Sequence, residues 1–501
     1  MNSEREVGFF DAFMMGLGGA IGFEIFVLLD YPYFDLELGA SIVFGLLLAG
    51  LVNFLIMLNY CELSTAIPEI GGAYTYMKRA FKGFVPFIFG CFRWLASVVC
   101  AALAAITFTR QILYISKAVP FLRDFILTQT PFICAIVVIV MAVLGIKGKK
   151  GVGTTIVFAF IAIFAVFVGA GLFHGLETVE VFPRNMPSDI PKVFAAAIYV
   201  FPMFFGVRSL VAGAAAIKDP GKNLPRAIIL SSLLIIPLYI CVVYVAAGLV
   251  PIEQAGGEDP LLNLAGQQIF GWAGGALIAV AGMVASLSAL GTSLAVQSSI
   301  LRGMSRDAYL PKIFHYVNRR SGTQHLTTLV GSSFVIFLSA VGAVWGVEFL
   351  AYAASFGSLL VFAFVNLSLL RLRREQPYIE RPFKTPLYPF TPIAGVILSA
   401  ALLVFPMLLG DANAQVALAT NIGLTAVVLM TYYFRMVGLN RLRIATGGAC
   451  IGIGVYLLLS ICLRGELTHS FLPSVPYVLE IMFAVSVVFI VAGFLNVTTR
   501  N

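Results

Sequence analysis

The chain has 501 residues, of which 60% are hydrophobic and 11% are charged, and its mean hydropathy is +0.97. Soluble globular proteins carry about 25% charged residues, so this composition excludes a soluble globular chain and predicts an integral membrane protein. Each helical crossing needs roughly 20 apolar residues, so the length allows about a dozen or more crossings and leaves no room for a separate enzyme domain. The net charge of +8 indicates basic cytoplasmic loops rather than a nucleic-acid-binding surface.

Apolar runs bounded by Gly, Pro and charged residues predict fourteen membrane-spanning helices and an all-α integral membrane fold. Spans 1 to 7 are predicted at residues 9–29, 39–66, 84–116, 131–146, 152–174, 192–216 and 227–250. Spans 8 to 14 are predicted at residues 265–301, 326–345, 347–370, 392–410, 415–435, 444–463 and 476–496.

The distribution of Lys and Arg predicts the orientation of these spans. With the N-terminus in the cytoplasm, 24 of the 32 Lys and Arg residues lie in inner segments, 5 lie in outer segments and 3 lie within spans. Short cytoplasmic loops collect Lys and Arg, so both termini are predicted to be cytoplasmic. The acidic N-terminal segment has no cleavage site before its apolar run, so a removed signal peptide is not expected.

Spans 1 and 6 contain residues that interrupt helices. Span 1 has Gly16, Gly18, Gly19 and Gly22, and span 6 has Pro202, Gly206 and Gly213. Interrupted helices at corresponding positions of two halves are typical of transporters built from inverted repeats. The pattern predicts a 5+5 inverted-repeat core with discontinuous helices 1 and 6, and about four peripheral helices. The predicted boundaries are 1–8 for the cytoplasmic N-terminus, 9–174 for repeat 1, 192–370 for repeat 2, 392–496 for spans 11–14 and 497–501 for the cytoplasmic C-terminus.

Interrupted helices expose backbone N–H and C=O groups, which are tolerated in a membrane only where they line a cavity or are buried in protein. Helix N-termini favour carboxylates, and helix C-termini offer carbonyls to ammonium groups. A break can therefore bind both charged ends of a zwitterion. The alternative interpretation is that the glycines only allow close helix packing, but matching breaks in two halves favour a binding site.

Several segments of the chain resemble motifs of the amino acid, polyamine and organocation permease superfamily. These segments are GLGGAIGFEIF at 16–26, ELSTAIPEIGGAYTYMKRAF at 62–81, KDPGKNLPRAI at 218–228, MSRDAYLP at 304–311 and RPFKTPLYP at 381–389. The resemblance implies a secondary active transporter, not an enzyme, that moves amino acids across the cell membrane by alternating access as an ion-coupled symporter or exchanger. A polyamine or organic-cation carrier and a non-transporting amino acid sensor stay open as alternatives.

The resemblance also implies which residues bind the substrate. Backbone amides would bind its carboxylate, at Gly22, Phe23 and Glu24. Backbone carbonyls would bind its amino group, at Ala20, Phe201, Pro202 and Phe205. Phe201 and Phe204 would cover the substrate, although contacts with lipid or the protein core are an equally open interpretation for both. The bundle of spans 1, 2, 6 and 7 would rock against the other spans.

Two ionisable residues stand where the family usually has other residue types: Glu24 has replaced a glycine, and Arg208 stands where an acidic or small residue is usual. Ionisable groups near mid-membrane are almost always paired, so we predict an ion pair between Glu24 and Arg208. Three roles stay open for these residues. Arg208 could bind the second carboxylate of an acidic substrate, Glu24 could bind the cation of a basic substrate, or the two could form a structural pair.

The resemblance implies no cofactor and leaves the coupling ion, H⁺ or Na⁺, undetermined. Phe160 stands about where some proton-coupled relatives have a lysine, so Glu62 is the remaining proton carrier unless it anchors the loop that follows it. Hydroxyl groups of span 8 could bind sodium, at Ser286, Ser288, Thr292 and Ser293. Arg93 and Arg110 of span 3 are expected to snorkel or to pair near opposite interfaces. The implied partners are a small-molecule substrate and the lipid bilayer, not nucleic acid.

Overall fold

The computed structural model describes residues 7–67, 72–146, 154–174, 189–212, 214, 217–252, 259–310, 312–315, 325–408 and scattered positions from 415 to 455. The described part is predominantly helical, and its only β interaction is an isolated bridge between Val7 and Ile217. This confirms the predicted all-α class.

Fourteen α-helices are described in chain order. They are α1 (Phe9–Ala20), α2 (Ile42–Ala66), α3 (Ala73–Ala80), α4 (Val85–Ile115), α5 (Pro120–Thr128), α6 (Thr130–Ile146), α7 (Thr154–His174), α8 (Asp189–Tyr199), α9 (Arg208–Ala212), α10 (Pro220–Leu249), α11 (Leu261–Arg306), α12 (His325–Trp345), α13 (Glu348–Glu375) and α14 (Phe390–Leu408). Helix α11 is kinked at Phe270 and Gly271, where the glycine has a φ of 63°.

Nine helical segments in the described ranges are long and apolar enough to cross a membrane, and a tenth is present if α5 and α6, bent by 78°, count as one span. Together with the shorter apolar segment Phe390–Phe405, they correspond to the first eleven predicted spans. The chain is therefore a multi-pass membrane protein. Predicted spans 12 to 14 lie almost entirely outside the described residues, so the total of fourteen stays a prediction.

The helix core is built from close pairs in which small residues let backbones approach. Helix α11 packs along α4, and α10 packs along α2. The central part of α4 contains a run of fully buried residues with small side chains, Ala101, Ala102, Ala104 and Ala105. Small residues at helix interfaces increase van der Waals contact between helices in a membrane, where water exclusion contributes little.

Spans 1 and 6 are interrupted where the glycines and the proline predict. Helix α1 ends at Ala20, and a short 3₁₀ helix follows at Phe23–Phe26. In span 6, α8 ends at Tyr199, and the 3₁₀ segment Phe201–Val207 leads into α9. The two interruptions touch each other through backbone, since a side chain at Gly206 would overlap the carbonyl group of Gly19.

A cluster of ionic contacts lies near the C-terminal end of α2. It consists of Glu62 with Arg373, Arg381 and Thr385, and we call it the Glu62 clamp. Arg373 of α13 donates to both carboxylate oxygens of Glu62, at 2.7 Å to Oε1 and 2.5 Å to Oε2. Arg381 lies 3.3 Å from Oε1, and the backbone N–H of Thr385 donates to Oε2 at 2.7 Å. Glu62 therefore anchors the segment after α13. The expected contact of Glu62 with the loop directly after α2 falls on residues 68–71, which lie outside the described residues.

Candidate functional site

A cavity of about 350 Å³ lies between the two helix interruptions. It is bounded by the Gly18–Glu24 stretch of span 1, by Phe205–Arg208 of span 6, and by faces of α4, α7 and α11. Ligand pockets commonly measure roughly 300 to 1,000 Å³, so this cavity is of the size that holds a small metabolite. Its position agrees with transporters in which broken helices form the substrate site.

Five of the nine residues predicted to bind substrate line this cavity, namely Gly22, Phe23, Glu24, Phe205 and Arg208. The other four do not line it, namely Ala20, Phe201, Pro202 and Phe204. Those four residues are buried. The structure therefore brings the two interruptions together around one space, which five of the nine predicted site residues line.

Hydroxyl groups of neighbouring helices bind backbone carbonyls near the interruptions. The Tyr239 hydroxyl of α10 donates to the carbonyl oxygen of Ala20. Ser355 of α13 donates to the carbonyl oxygen of Ile198 at 2.7 Å. A carbonyl without a partner is costly away from water, so these hydroxyls stabilise the interruptions in the absence of substrate. Sequence reasoning missed Tyr239, and no local pattern around a single tyrosine in an apolar helix distinguishes it.

Two aromatic residues of span 6, Phe201 and Phe204, pack on rings of other helices and do not line the cavity. Phe201 makes an edge contact with Phe362 of α13, with ring centroids 5.9 Å apart. Phe204 makes a similar contact with Tyr239, at 5.8 Å. Both phenylalanines are fully buried. In this structure Phe201 and Phe204 therefore make core contacts. The ring of Phe205 faces the cavity.

Glu24 lies at the start of the 3₁₀ helix and is 8% exposed. Its carboxylate folds back over the preceding interruption and lies beside Gly22, where an added side chain would collide with Oε2 of Glu24. Among the described residues, Oε2 has no hydrogen-bond partner. A buried carboxylate oxygen without a partner is expensive, so this group is suited to binding something that enters the cavity.

Arg208 begins α9 and is 7% exposed. Its guanidinium carbon lies 3.9 Å from the ring centroid of Phe205 and 5.0 Å from that of Phe362. Nε donates to the carbonyl oxygen of Phe205 at 3.1 Å, whereas Nη1 is buried with no partner among the described residues. Arg208 is thus held firmly by two rings and one carbonyl while one of its donor groups is unused.

The predicted ion pair between Glu24 and Arg208 is not formed in this structure. The two side chains line the same cavity, but no carboxylate oxygen of Glu24 lies within 4.0 Å of an Arg208 nitrogen among the described contacts. The physical reason is that each side chain has a local contact that turns it away. The Glu24 carboxylate folds over Gly22, and stacking on Phe205 holds the Arg208 guanidinium.

Arg93 of α4 also lines the cavity, and sequence reasoning missed this role. Its Nη1 donates to the hydroxyl oxygen of Ser97 at 3.1 Å. Ser97 and Cys100 line the same wall, at the i+4 and i+7 positions expected for one helix face. The spacing of Arg93, Ser97 and Cys100 along one helix face was the available signal. Arg110 pairs with Asp30 at 3.8 Å, whereas the depth of Arg93 in the membrane stays a prediction.

The hydroxyl groups considered for sodium divide into two groups. Ser288, Thr292 and Ser293 of α11 line the cavity, and Phe160 of α7 lies in the wall near them. Ser286 does not line it and donates to the carbonyl oxygen of Gly282 at 2.7 Å within its own helix. Thr292 likewise donates to the carbonyl oxygen of Ser288, at 3.0 Å. The structure therefore leaves the coupling ion, H⁺ or Na⁺, undetermined.

Comparison with known proteins gives consistent matches over most of the chain. A model of the amino acid permease family matches residues 7–434. A branched-chain amino acid permease of Bacillus subtilis is 28% identical over 417 residues, covering 79% of this chain and 86% of the relative. A methylthioribose transporter of the same organism is 25% identical over 411 residues, covering 79% and 87%. A vacuolar cationic amino acid transporter of Arabidopsis thaliana is 26% identical over 379 residues, covering 72% and 59%.

Proposed function

Because the chain belongs to the amino acid permease family, we propose that it is a secondary active transporter of amino acids that works by alternating access. The observation that carries the proposal is the cavity between the two interrupted helices. It combines backbone of both interruptions with three ionisable side chains and has the volume of a small-metabolite site. Transport occurs across the cell membrane as ion-coupled symport or exchange.

The proposed substrate site consists of the nine residues implied by sequence, in two layers. Gly22, Phe23, Glu24, Phe205 and Arg208 contact the substrate directly, as their place in the cavity lining supports. Ala20, Phe201, Pro202 and Phe204 support that lining from behind, and their burial favours this role. Because the Glu24 carboxylate occupies the space beside Gly22, it lies where a substrate would meet the backbone of the first interruption.

The proposed architecture is a 5+5 inverted repeat, with repeats at 9–174 and 192–370. The two interruptions at corresponding places in these halves support it. Spans 1, 2, 6 and 7 form the bundle that rocks, and both termini are cytoplasmic, as the Lys and Arg distribution supports. The Glu62 clamp joins span 2 of this bundle to span 10 outside it, so its contacts must change when the bundle rocks.

Counterflow in proteoliposomes tests the function. Vesicles containing the purified full chain and a high internal concentration of one unlabelled amino acid are placed in a trace of the same amino acid carrying a radiolabel. We expect transient accumulation of label above that of protein-free vesicles for at least one amino acid. Imposed proton or sodium gradients then identify the coupling. Accumulation of labelled putrescine alone, or amino acid binding without counterflow, would contradict the proposal in favour of a polyamine carrier or a sensor.

A pair of glycine variants tests whether transport requires the contact between the two interruptions. Gly206→Ala places a methyl group on the carbonyl of Gly19 and is expected to abolish counterflow, because the two interruptions can no longer touch. Gly303→Ala is the matched control on α11, since nothing lies within 4 Å of the added atom. Equal activity of the two variants would show that the contact between the interruptions is unnecessary for transport.

A further inference from the structure

The charges that line the cavity do not balance. Among the described lining residues, three carry ionisable charges, Glu24, Arg93 and Arg208, and all other lining side chains are neutral. With Glu24 ionised the lining has a net charge of +1, and with Glu24 protonated it has a net charge of +2. The cavity is therefore positive in either state.

This surplus matters because the cavity lies within the membrane-spanning part of the protein. An unpaired buried charge is strongly destabilising, and ionisable residues at such depth are almost always paired or contact a substrate. A zwitterionic substrate with a neutral side chain brings no net charge and leaves the surplus in place. A substrate with a net charge of −1 neutralises the lining when Glu24 is ionised.

The geometry of Arg208 favours a carboxylate as the group that binds there. The Phe205 ring covers the face of the guanidinium, and the donor groups of a guanidinium lie at its edge. One edge is used by the bond from Nε to the Phe205 carbonyl, and Nη1 has no partner among the described residues. A carboxylate is the planar acceptor that matches this edge.

Arg93 brings a second guanidinium to the same cavity from a different helix. Its contact with Ser97 is a single hydrogen bond to a neutral hydroxyl, which leaves the charge without compensation. A cationic side chain entering this cavity would meet two arginines and one carboxylate. Like charges in a site of low dielectric repel strongly, so the lining disfavours lysine, arginine and polyamines.

We propose that the transported amino acid carries a side-chain carboxylate, and that Arg208 together with Arg93 binds this group. The proposal rests on the transport function proposed above and names its substrate class. Glu24 balances one of the two arginines, and the side-chain carboxylate of the substrate balances the other. Arg93 and Arg208 are thus the residues that determine specificity.

Binding to the purified full chain in detergent tests the substrate class. Aspartate and glutamate are compared with asparagine and glutamine, which have nearly the same shape without the charge, and with leucine and lysine. We expect the acidic amino acids to bind about tenfold or more tighter than their amides, measured by calorimetry or by the ligand-induced rise in melting temperature. Equal binding of acid and amide, or tightest binding of lysine, would overturn the proposal.

Arginine variants locate the selectivity in the cavity. Arg208→Gln and Arg93→Gln are expected to remove most of the preference for glutamate over glutamine while glutamine affinity changes by less than about threefold. Arg110→Gln is the matched control, because Arg110 lies on the same helix as Arg93 but pairs with Asp30. The ratio of the two affinities reports on the subsite itself, since a general loss of folding weakens both ligands together. An unchanged ratio in both cavity variants would contradict the assignment.

Two further outcomes separate this inference from the proposed function. Counterflow of leucine without counterflow of glutamate would contradict an acidic substrate and would still support amino acid transport. Succinate has both carboxylates of aspartate and lacks its ammonium group. Binding of succinate as tightly as aspartate would contradict an amino acid as the substrate while supporting the arginine subsite.

Discussion

Glu24 and Glu62 are both buried carboxylates, with exposed fractions of 8% and 0%, and they lie on neighbouring spans. Their partners differ in kind. Glu62 accepts hydrogen bonds from Arg373 and from the Thr385 backbone and has Arg381 close by. Glu24 has no ion pair among the described contacts, and one of its oxygens has no hydrogen-bond partner.

The contrast separates two uses of a charge inside a membrane protein. A buried carboxylate whose oxygens are both bound to donors keeps helices and loops in place, and removal of one partner is costly. A buried carboxylate that lines a cavity and has an oxygen without a protein partner contributes little to holding the fold. It is available for a ligand instead. Burial alone does not distinguish these two roles, whereas the list of partners does.

The largest expected effect comes from Glu62→Gln. The variant leaves the Arg373 and Arg381 guanidiniums without their carboxylate, which is expected to lower stability by about 3–5 kcal/mol. The measurement is the melting temperature of the purified protein in detergent. Glu375→Gln is the matched control, because Glu375 pairs with Arg371 on an exposed helix surface and should cost less than about 1 kcal/mol. Similar losses in both variants would remove the distinction drawn for the Glu62 clamp.

Glu24→Gln, by contrast, is not expected to destabilise the protein. It removes a charge that has no close partner, so the melting temperature should change little or rise. Because it also makes the cavity more positive, the affinity for an acidic amino acid should increase by about fivefold, or roughly 1 kcal/mol. A fall in stability as large as that of Glu62→Gln would show that Glu24 has an essential structural partner.

The smallest effect is expected for the coupling between Glu24 and Arg208. A double-mutant cycle of Glu24→Gln and Arg208→Gln, read by melting temperature without ligand, should give nearly additive changes, within about 0.5 kcal/mol. The reason is the absence of direct contact between the two charges in this structure. Strong non-additivity would instead support the ion pair that sequence alone predicts.

Much of the membrane topology could be predicted because the apolar run itself determines where a helix crosses. The segment Gly39–Ala66 matches the predicted span 2 at both ends. The interruption after Ala20 was predictable because several glycines lie close together in span 1 and residues that interrupt helices occur at the corresponding place in span 6. Helix α10 begins at Pro220, earlier than predicted, because a proline at the first turn can start a helix before the apolar run begins.

The pairing of polar groups could not be predicted, because it depends on contacts between distant parts of the chain. Glu62 and Arg373 are separated by 311 residues, and Tyr239 and Ala20 by 219. The place of Arg93 in the cavity lining was missed for a related reason. Helix α4 has 31 residues and is about 46 Å long, well beyond the hydrocarbon thickness, so position along it does not give depth in the membrane.

Backbone atoms of Gly206 and Gly19 form the framework of the cavity, whereas side chains supply its charges. These two parts tolerate mutation differently. A substitution at Gly206 acts on the framework and affects every ligand. Substitutions at Glu24, Arg93 or Arg208 alter only the lining, so ligand preference can diverge through single amino-acid changes while the carrier keeps its shape.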